Sequence, residues 1–139
     1  MRIFLSASIR GGRQMLSTYM EMCSYLQDRG HEVLSWHVAD PELEKTESLL
    51  TEQEIYTRDM DFLGKSDCVI AEVSTPSIGV GYEVCSALNI GLPVLCLHTL
   101  QANVSAMILG NSRIISKEYQ NYAAMRKAID TFLEKLNEG

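Results

Sequence analysis

No stretch of this chain carries enough consecutive apolar residues to span a bilayer, so a membrane partner is not expected. Met1 runs straight into a strand-like segment, and no signal peptide is expected either. Basic residues are few and scattered: 12 Lys and Arg stand against 18 Asp and Glu, a net charge of −6. An acidic chain without a Lys/Arg cluster argues against a nucleic-acid polymer as partner. It leaves room for one small phosphate, which backbone amides and hydroxyls can hold. The four cysteines form no Cys-x-x-Cys pair, and His31, His37 and His98 lie far apart in sequence. Neither a disulfide framework nor a metal site is therefore expected. All four cysteines fall in apolar helix- or strand-like stretches, so they are read as buried and reduced, which points to the cytoplasm.

What is present fits a soluble globular chain. Hydrophobic residues make up 46% and charged residues 22% of the 139 positions. That length suits one domain, residues 1–139, around one sizeable core.

The elements follow from apolar spacing. Arg2–Ala7 is a short apolar run bounded by a turn, as expected of a strand buried on both faces. The turn SIRGGR, residues 8–13, leads to a helix over 14–29 closed by Gly30. Strands are expected at 32–36, 67–73, 93–97 and 113–115. Residues 37–50 are polar and read as a loop or lid. Thr51 and Glu54 form a capping box for a helix running to about Lys65. A further helix ends near Ile90, one short helical turn falls within 99–111, and a last helix covers 119–136. Such alternation predicts an α/β fold: a five-stranded parallel sheet with helices on both faces, in the flavodoxin-like order 2-1-3-4-5. Its ligand crevice lies between strands 1 and 3 at their carboxyl ends.

Two loops meet at that crevice. In SIRGGR, Ser8 offers a hydroxyl, Arg10 a guanidinium, and Gly11 and Gly12 close backbone approach. These parts suit a phosphate. The turn is neither a dinucleotide fingerprint nor a Walker loop. The second loop, TPSIGVG at 75–81, adds Ser77, Gly79 and Gly81. Glu83 follows it and is the only Asp, Glu, Lys or Arg between Glu72 and Arg113. Placed in the first turn of its helix, it is expected to stay ionised beside the positive end of the helix dipole. Asp59 sits on the apolar stripe of its own helix, with Ile55, Tyr56, Phe62 and Leu63. An inward carboxylate is costly unless paired or used. Two carboxylates, a phosphate cradle and no metal motif suit cleavage at an acetal-like carbon, and the N-glycosidic bond of a nucleotide is one such site. The residues alone leave an aldol or isomerase reaction equally open. Tyr82 either orients Glu83 or packs in the core.

The segments SIRGGR, HVAD (His37–Asp40), the helix around Arg58–Asp59, DCVIAEVSTPSIGVGYE and VSAMILG (Val104–Gly110) carry a resemblance. Together they resemble the 2'-deoxynucleoside 5'-phosphate N-hydrolases of the nucleoside 2-deoxyribosyltransferase superfamily, in the same order over nearly the whole chain. The resemblance implies hydrolysis of a deoxynucleoside 5'-monophosphate to free base and 2-deoxyribose 5-phosphate, without a cofactor. It implies Glu83 as the nucleophile at C1' and Asp59 as the group supporting the sugar and leaving base. It implies phosphate contacts at Ser8, Arg10, Gly11, Ser77 and Gly79, and at Ser105 supplied by the partner subunit of a homodimer. Ile9 and His37 match positions near the base. Phe4 stands where the family carries a Tyr on its first strand, and its ring has no hydroxyl to offer a carboxylate or sugar. Related enzymes acting on cytidine 5'-monophosphate use the same scaffold. The rival readings are a ribonucleotide N-glycosidase, a base-exchanging transferase and a nucleotide-binding protein without catalysis.

Overall fold

Short apolar strands separated by helix-forming segments cannot pair as tight hairpins, so each chain segment crosses over a sheet face and the pairing becomes parallel. The computed structural model, which describes residues 1–138, has this arrangement. Strands β1 (Arg2–Ser6), β2 (Glu32–Val33), β3 (Cys68–Glu72), β4 (Val94–Thr99) and β5 (Ile114–Tyr119) lie in the order β2-β1-β3-β4-β5. All four pairings are parallel. The expected order and fold class are therefore observed.

Among the described residues the α-helices are α1 (Leu16–Asp28), α2 (Leu43–Glu47), α3 (Glu52–Gly64), α4 (Ile78–Asn89), α5 (Ala106–Leu109) and α6 (Tyr122–Glu138). Among the described residues, no helix is long and apolar enough to cross a membrane. The two-residue period of the strands divides the core. Ile3, Leu5 and Ile70 face Tyr19, Met22 and Leu26 of α1 and Met125, Ile129 and Phe132 of α6. Phe4, Val69 and Ala71 face Val80, Val84 and Leu88 of α4 and Leu63 of α3. The capping box at Thr51 is present, with Glu54 N donating to Thr51 Oγ1 at 3.1 Å and Thr51 N donating to Glu54 Oε1 at 3.0 Å.

Three expected boundaries shift. β2 stops at Val33 rather than Trp36. There Ser35 takes over its pairing: Leu5 N donates to Ser35 Oγ at 2.8 Å, and that hydroxyl donates back to Leu5 O at 2.7 Å. The chain then turns into a 3₁₀ helix, Trp36–Ala39. The polar stretch 37–50 is consequently not a loop. It holds that helical turn and α2, pinned by buried Leu43 and by Arg13, whose guanidinium donates to Val38 O and Asp40 O at 2.8 and 3.1 Å. Finally, β5 reaches Tyr119, because Lys117 and Glu118 fall on an edge strand that tolerates charge. The last helix therefore starts at Tyr122, not Tyr119.

Candidate active site

At the carboxyl ends of β1 and β3, between α3 and the start of α4, a cavity of about 1050 Å³ opens. It lies where the strand order reverses, as the topology requires. Ile9, Arg10 and Gly11 line it from the turn after β1, Asp59 from α3, and Ser77, Gly79 and Glu83 from α4 and its cap. The sequence thus brings its two candidate carboxylates to one cavity.

α4 begins earlier than its glycines indicate. Ser77 is its N-cap, accepting from Val80 N at 3.3 Å, so Gly79 and Gly81 are helical rather than loop residues. The first amides of the helix, those of Ile78 and Gly79, have no intrahelical acceptor and present donors at the cavity. The early start also moves Glu83 into the second turn, which corrects its expected ionisation. The dipole effect fades within the first turn. Burial instead pushes the Glu83 carboxyl up to about 7; Ser6 and Arg58 restrain the rise, while Asp59 and Glu47 add to it. Ser6 Oγ donates to Glu83 Oε1 at 2.7 Å.

Asp59 is buried at 8% exposure, as its place on the apolar stripe predicted. Burial raises its pKa, but His37 and Arg58 more than offset this and leave it below the ordinary carboxylate value. His37 Nε2 lies 3.1 Å from Asp59 Oδ1, and Arg58 Nε lies 2.9 Å from the same oxygen. Arg58 also binds Glu47 of α2, so it is partly buried rather than turned to solvent. His37, Glu47 and Asp59 place possible ligand atoms within 4.8 Å of one another, but the Arg58 guanidinium already supplies the positive charge among them.

Other expected residues sit differently. Ser8 is fully buried, its hydroxyl unpaired among the described residues, and it does not line the cavity. Arg10 does line it, exposed and paired with Glu52 Oε1 at 3.0 Å. Phe4 is 1% exposed and belongs to the core beneath the cavity, not to its wall. His37 likewise stands behind Asp59 rather than on the cavity surface. Ser105 caps α5 and lines a separate cavity of about 320 Å³ beyond α4. Cys85 lines the same cavity and is exposed, unlike the buried Cys23, Cys68 and Cys96; all four are free. Tyr82 neither orients Glu83 nor enters the core. It is half exposed at the rim, its hydroxyl 3.2 Å from that of Tyr56.

Sequence reasoning passed over Ser6, Glu47, Glu52 and Glu72. Glu72 is fully buried at the end of β3 and accepts from Ser74 N at 2.6 Å, Ser74 Oγ at 3.0 Å and the Tyr119 hydroxyl. Ser74 Oγ in turn accepts from Thr99 N at 2.9 Å. The carboxylate thus ties the loop before α4 to the ends of β4 and β5. A charge inside the apolar run DCVIAEV was its signal.

An open parallel sheet whose switch-point cavity is lined by two carboxylates and the start of a helix defines an α/β protein with its cleft where this topology places ligands. Residues 3–132 match the family model for nucleoside 2-deoxyribosyltransferase, and the chain belongs to that family. It is 67% identical over 112 residues to a Methanococcoides burtonii protein provisionally named a 2'-deoxynucleoside 5'-phosphate N-hydrolase, covering 81% of this chain and 92% of that one. It is 38% identical over 140 residues to the mouse (Mus musculus) 5-hydroxymethyl-dUMP N-hydrolase, covering 98% and 79% respectively. The fold is shared with the solved structure of a Clostridium botulinum CMP N-glycosidase, at a TM-score of 0.70 and 19% identity, over 95% of this chain and 99% of that one.

Proposed function

We propose that this chain, acting as one domain over residues 1–139, hydrolyses the N-glycosidic bond of nucleoside 5'-monophosphates, with deoxyribonucleotides as the first substrates to test. The products are the free base and the sugar 5-phosphate. The observation that carries this reading is the pair of carboxylates on one cavity, one raised to about 7 and the other held below its ordinary value, beside unpaired helix amides. Opposed shifts of this kind separate the roles of two acids.

The 5'-phosphate docks against the amides of Ile78 and Gly79 and the Gly11 turn, with Arg10 at the rim. Ionised Glu83 attacks C1', forming an ester bond; the C1'–N bond breaks and its electron pair leaves with the base, which takes a proton from solvent. Water then attacks C1', gives a proton to solvent and restores the Glu83 carboxylate. Asp59, kept ionised by His37 and Arg58, orients a sugar hydroxyl and stabilises positive charge at C1' rather than giving a proton. The names of the Methanococcoides burtonii and mouse relatives support this substrate class. Ser105 completes the phosphate site from the partner subunit of a homodimer. Ile78 and Met107, exposed at 94% and 81%, support such a contact. The four free cysteines support a reducing, cytoplasmic compartment.

The test is chromatography of ribo- and deoxyribonucleoside 5'-monophosphates and the matching nucleosides after incubation with the protein and with Glu83→Ala. Base released from monophosphates alone, and lost in the variant, is the expected result. Release only when an acceptor base is added, or none at all, overturns the proposal. Light scattering at micromolar concentration tests the dimer.

A further inference from the structure

We infer that Ser6 is the positioning residue of the Glu83 carboxylate, anchoring Oε1 so that Oε2 is the oxygen left to react. The inference rests on the role proposed for Glu83. Ser6 is the last residue of β1, fully buried and held in register opposite Ala71 of β3. Its backbone is held against β3 and its side chain is closed off from solvent, so the hydroxyl has little freedom to move. Its hydroxyl donates to Glu83 Oε1 at 2.7 Å, a bond that is stronger when the carboxylate is ionised. Glu83 has no other hydrogen bond among the described residues, and its Oε2 is unengaged.

Neighbouring hydroxyls and charges cannot take over the task. Phe4, two residues earlier on the same strand face, has no polar atom and is packed in the core. Ser8, two residues later, has a buried hydroxyl without a partner. Asp59 and Arg58 of α3 and Glu47 of α2 act on Glu83 through charge and make no hydrogen bond with it. Arg10 is engaged by Glu52, the Tyr82 hydroxyl by Tyr56, and Glu72 of β3 by Ser74 and Tyr119. Among the described residues, Ser6 is therefore the one group that both orients the carboxylate and favours its charged form.

Infrared titration of the protonated-carboxyl band, assigned to Glu83 by its loss in Glu83→Gln, tests this directly. In Ser6→Ala the midpoint should rise by about one pH unit, since one unit corresponds to a tenfold change in the ionisation constant. Ser6→Cys, similar in shape with a weaker donor, should fall between. In turnover assays the acidic limb of the kcat/KM profile should move up with the midpoint. On the alkaline plateau kcat per folded molecule, with the folded fraction measured by circular dichroism, should still fall about tenfold in Ser6→Ala with KM within twofold; a loss of folded protein would move neither this ratio nor the Glu83 midpoint. An unmoved Glu83 midpoint in Ser6→Ala overturns the inference. The titration needs no turnover, so it decides this point even where the wild-type chain releases no base and the hydrolase reading has failed.

Discussion

A Cβ on Gly11 would stand 2.5 Å from the Pro76 carbonyl oxygen and 2.8 Å from Ser8 Oγ. The turn after β1 and the loop before α4 therefore meet backbone to backbone at the cavity. Gly11→Ala must push them apart. We expect a stability loss of about 1–3 kcal/mol from overpacking and at least a tenfold weaker affinity for a nucleoside monophosphate. Thermal melting and titration calorimetry on the same variant check both. Gly79→Ala is the comparison, because a Cβ there meets only Ser77 Oγ at 3.9 Å.

Glu83 imposes a pH dependence on folding. Its carboxyl is raised in the folded protein, from 4.5 to about 7. The stability it lends is full below 4.5 and is lost as pH rises through 7, a difference of up to about 3 kcal/mol. Glu83→Gln, which resembles the protonated acid, should match the wild type near pH 5 and exceed it at pH 8. Urea unfolding at the two pH values measures the gap. Equal gaps at both would show that the carboxyl is not raised.

Asp59 has the opposite sign. Its depressed carboxyl lends stability above the ordinary value of 3.8, lost as pH falls through the folded-state value. Asp59→Ala leaves His37 and Arg58 without a shared acceptor and should cost about 2–4 kcal/mol at pH 7. The cost should shrink in acid, which denaturant melts between pH 7 and 3 would follow. Asp59→Asn keeps the shape and should lower kcat by about a hundredfold with a melting temperature closer to the wild type.

Glu72 should matter to stability more than its distance from the chemistry implies. Glu72→Ala strands the buried Tyr119 hydroxyl and the half-buried donors of Ser74 and should cost about 3–5 kcal/mol. A double-mutant cycle with Tyr119→Phe should return a coupling of about 1 kcal/mol or more. Simple additivity would show that the two groups act independently.

Residues differ in how plainly their roles could be read. The sheet order was legible because each strand is a bounded apolar run and each crossover a periodic one. Asp59 was legible because a carboxylate on an apolar stripe breaks its pattern, and Thr51 because capping needs two residues at fixed spacing. The place of Glu83 on the cavity was legible, but its turn was misplaced, since Gly79 and Gly81 look like loop residues and only the Ser77 cap shows where α4 begins. Ser6 left no signal: one serine in a strand disturbs nothing, and its partner lies 77 residues away. The helical character of residues 37–50 depends on Arg13 and Leu43, contacts that exist only once α1 has docked.

That 77-residue span from Ser6 to Glu83 has a bearing on how the protein comes to be active. The carboxylate and its anchor share no local segment, and β1 meets β3 only after β2 and three helices have been made. Closing so long a loop is entropically slow, and nothing rewards it until the central strands zip. A chain made only as far as residue 80 holds the SIRGGR turn, Asp59 and Ser77 yet lacks Glu83. Competence to react therefore comes late, with the same event that completes the middle of the sheet.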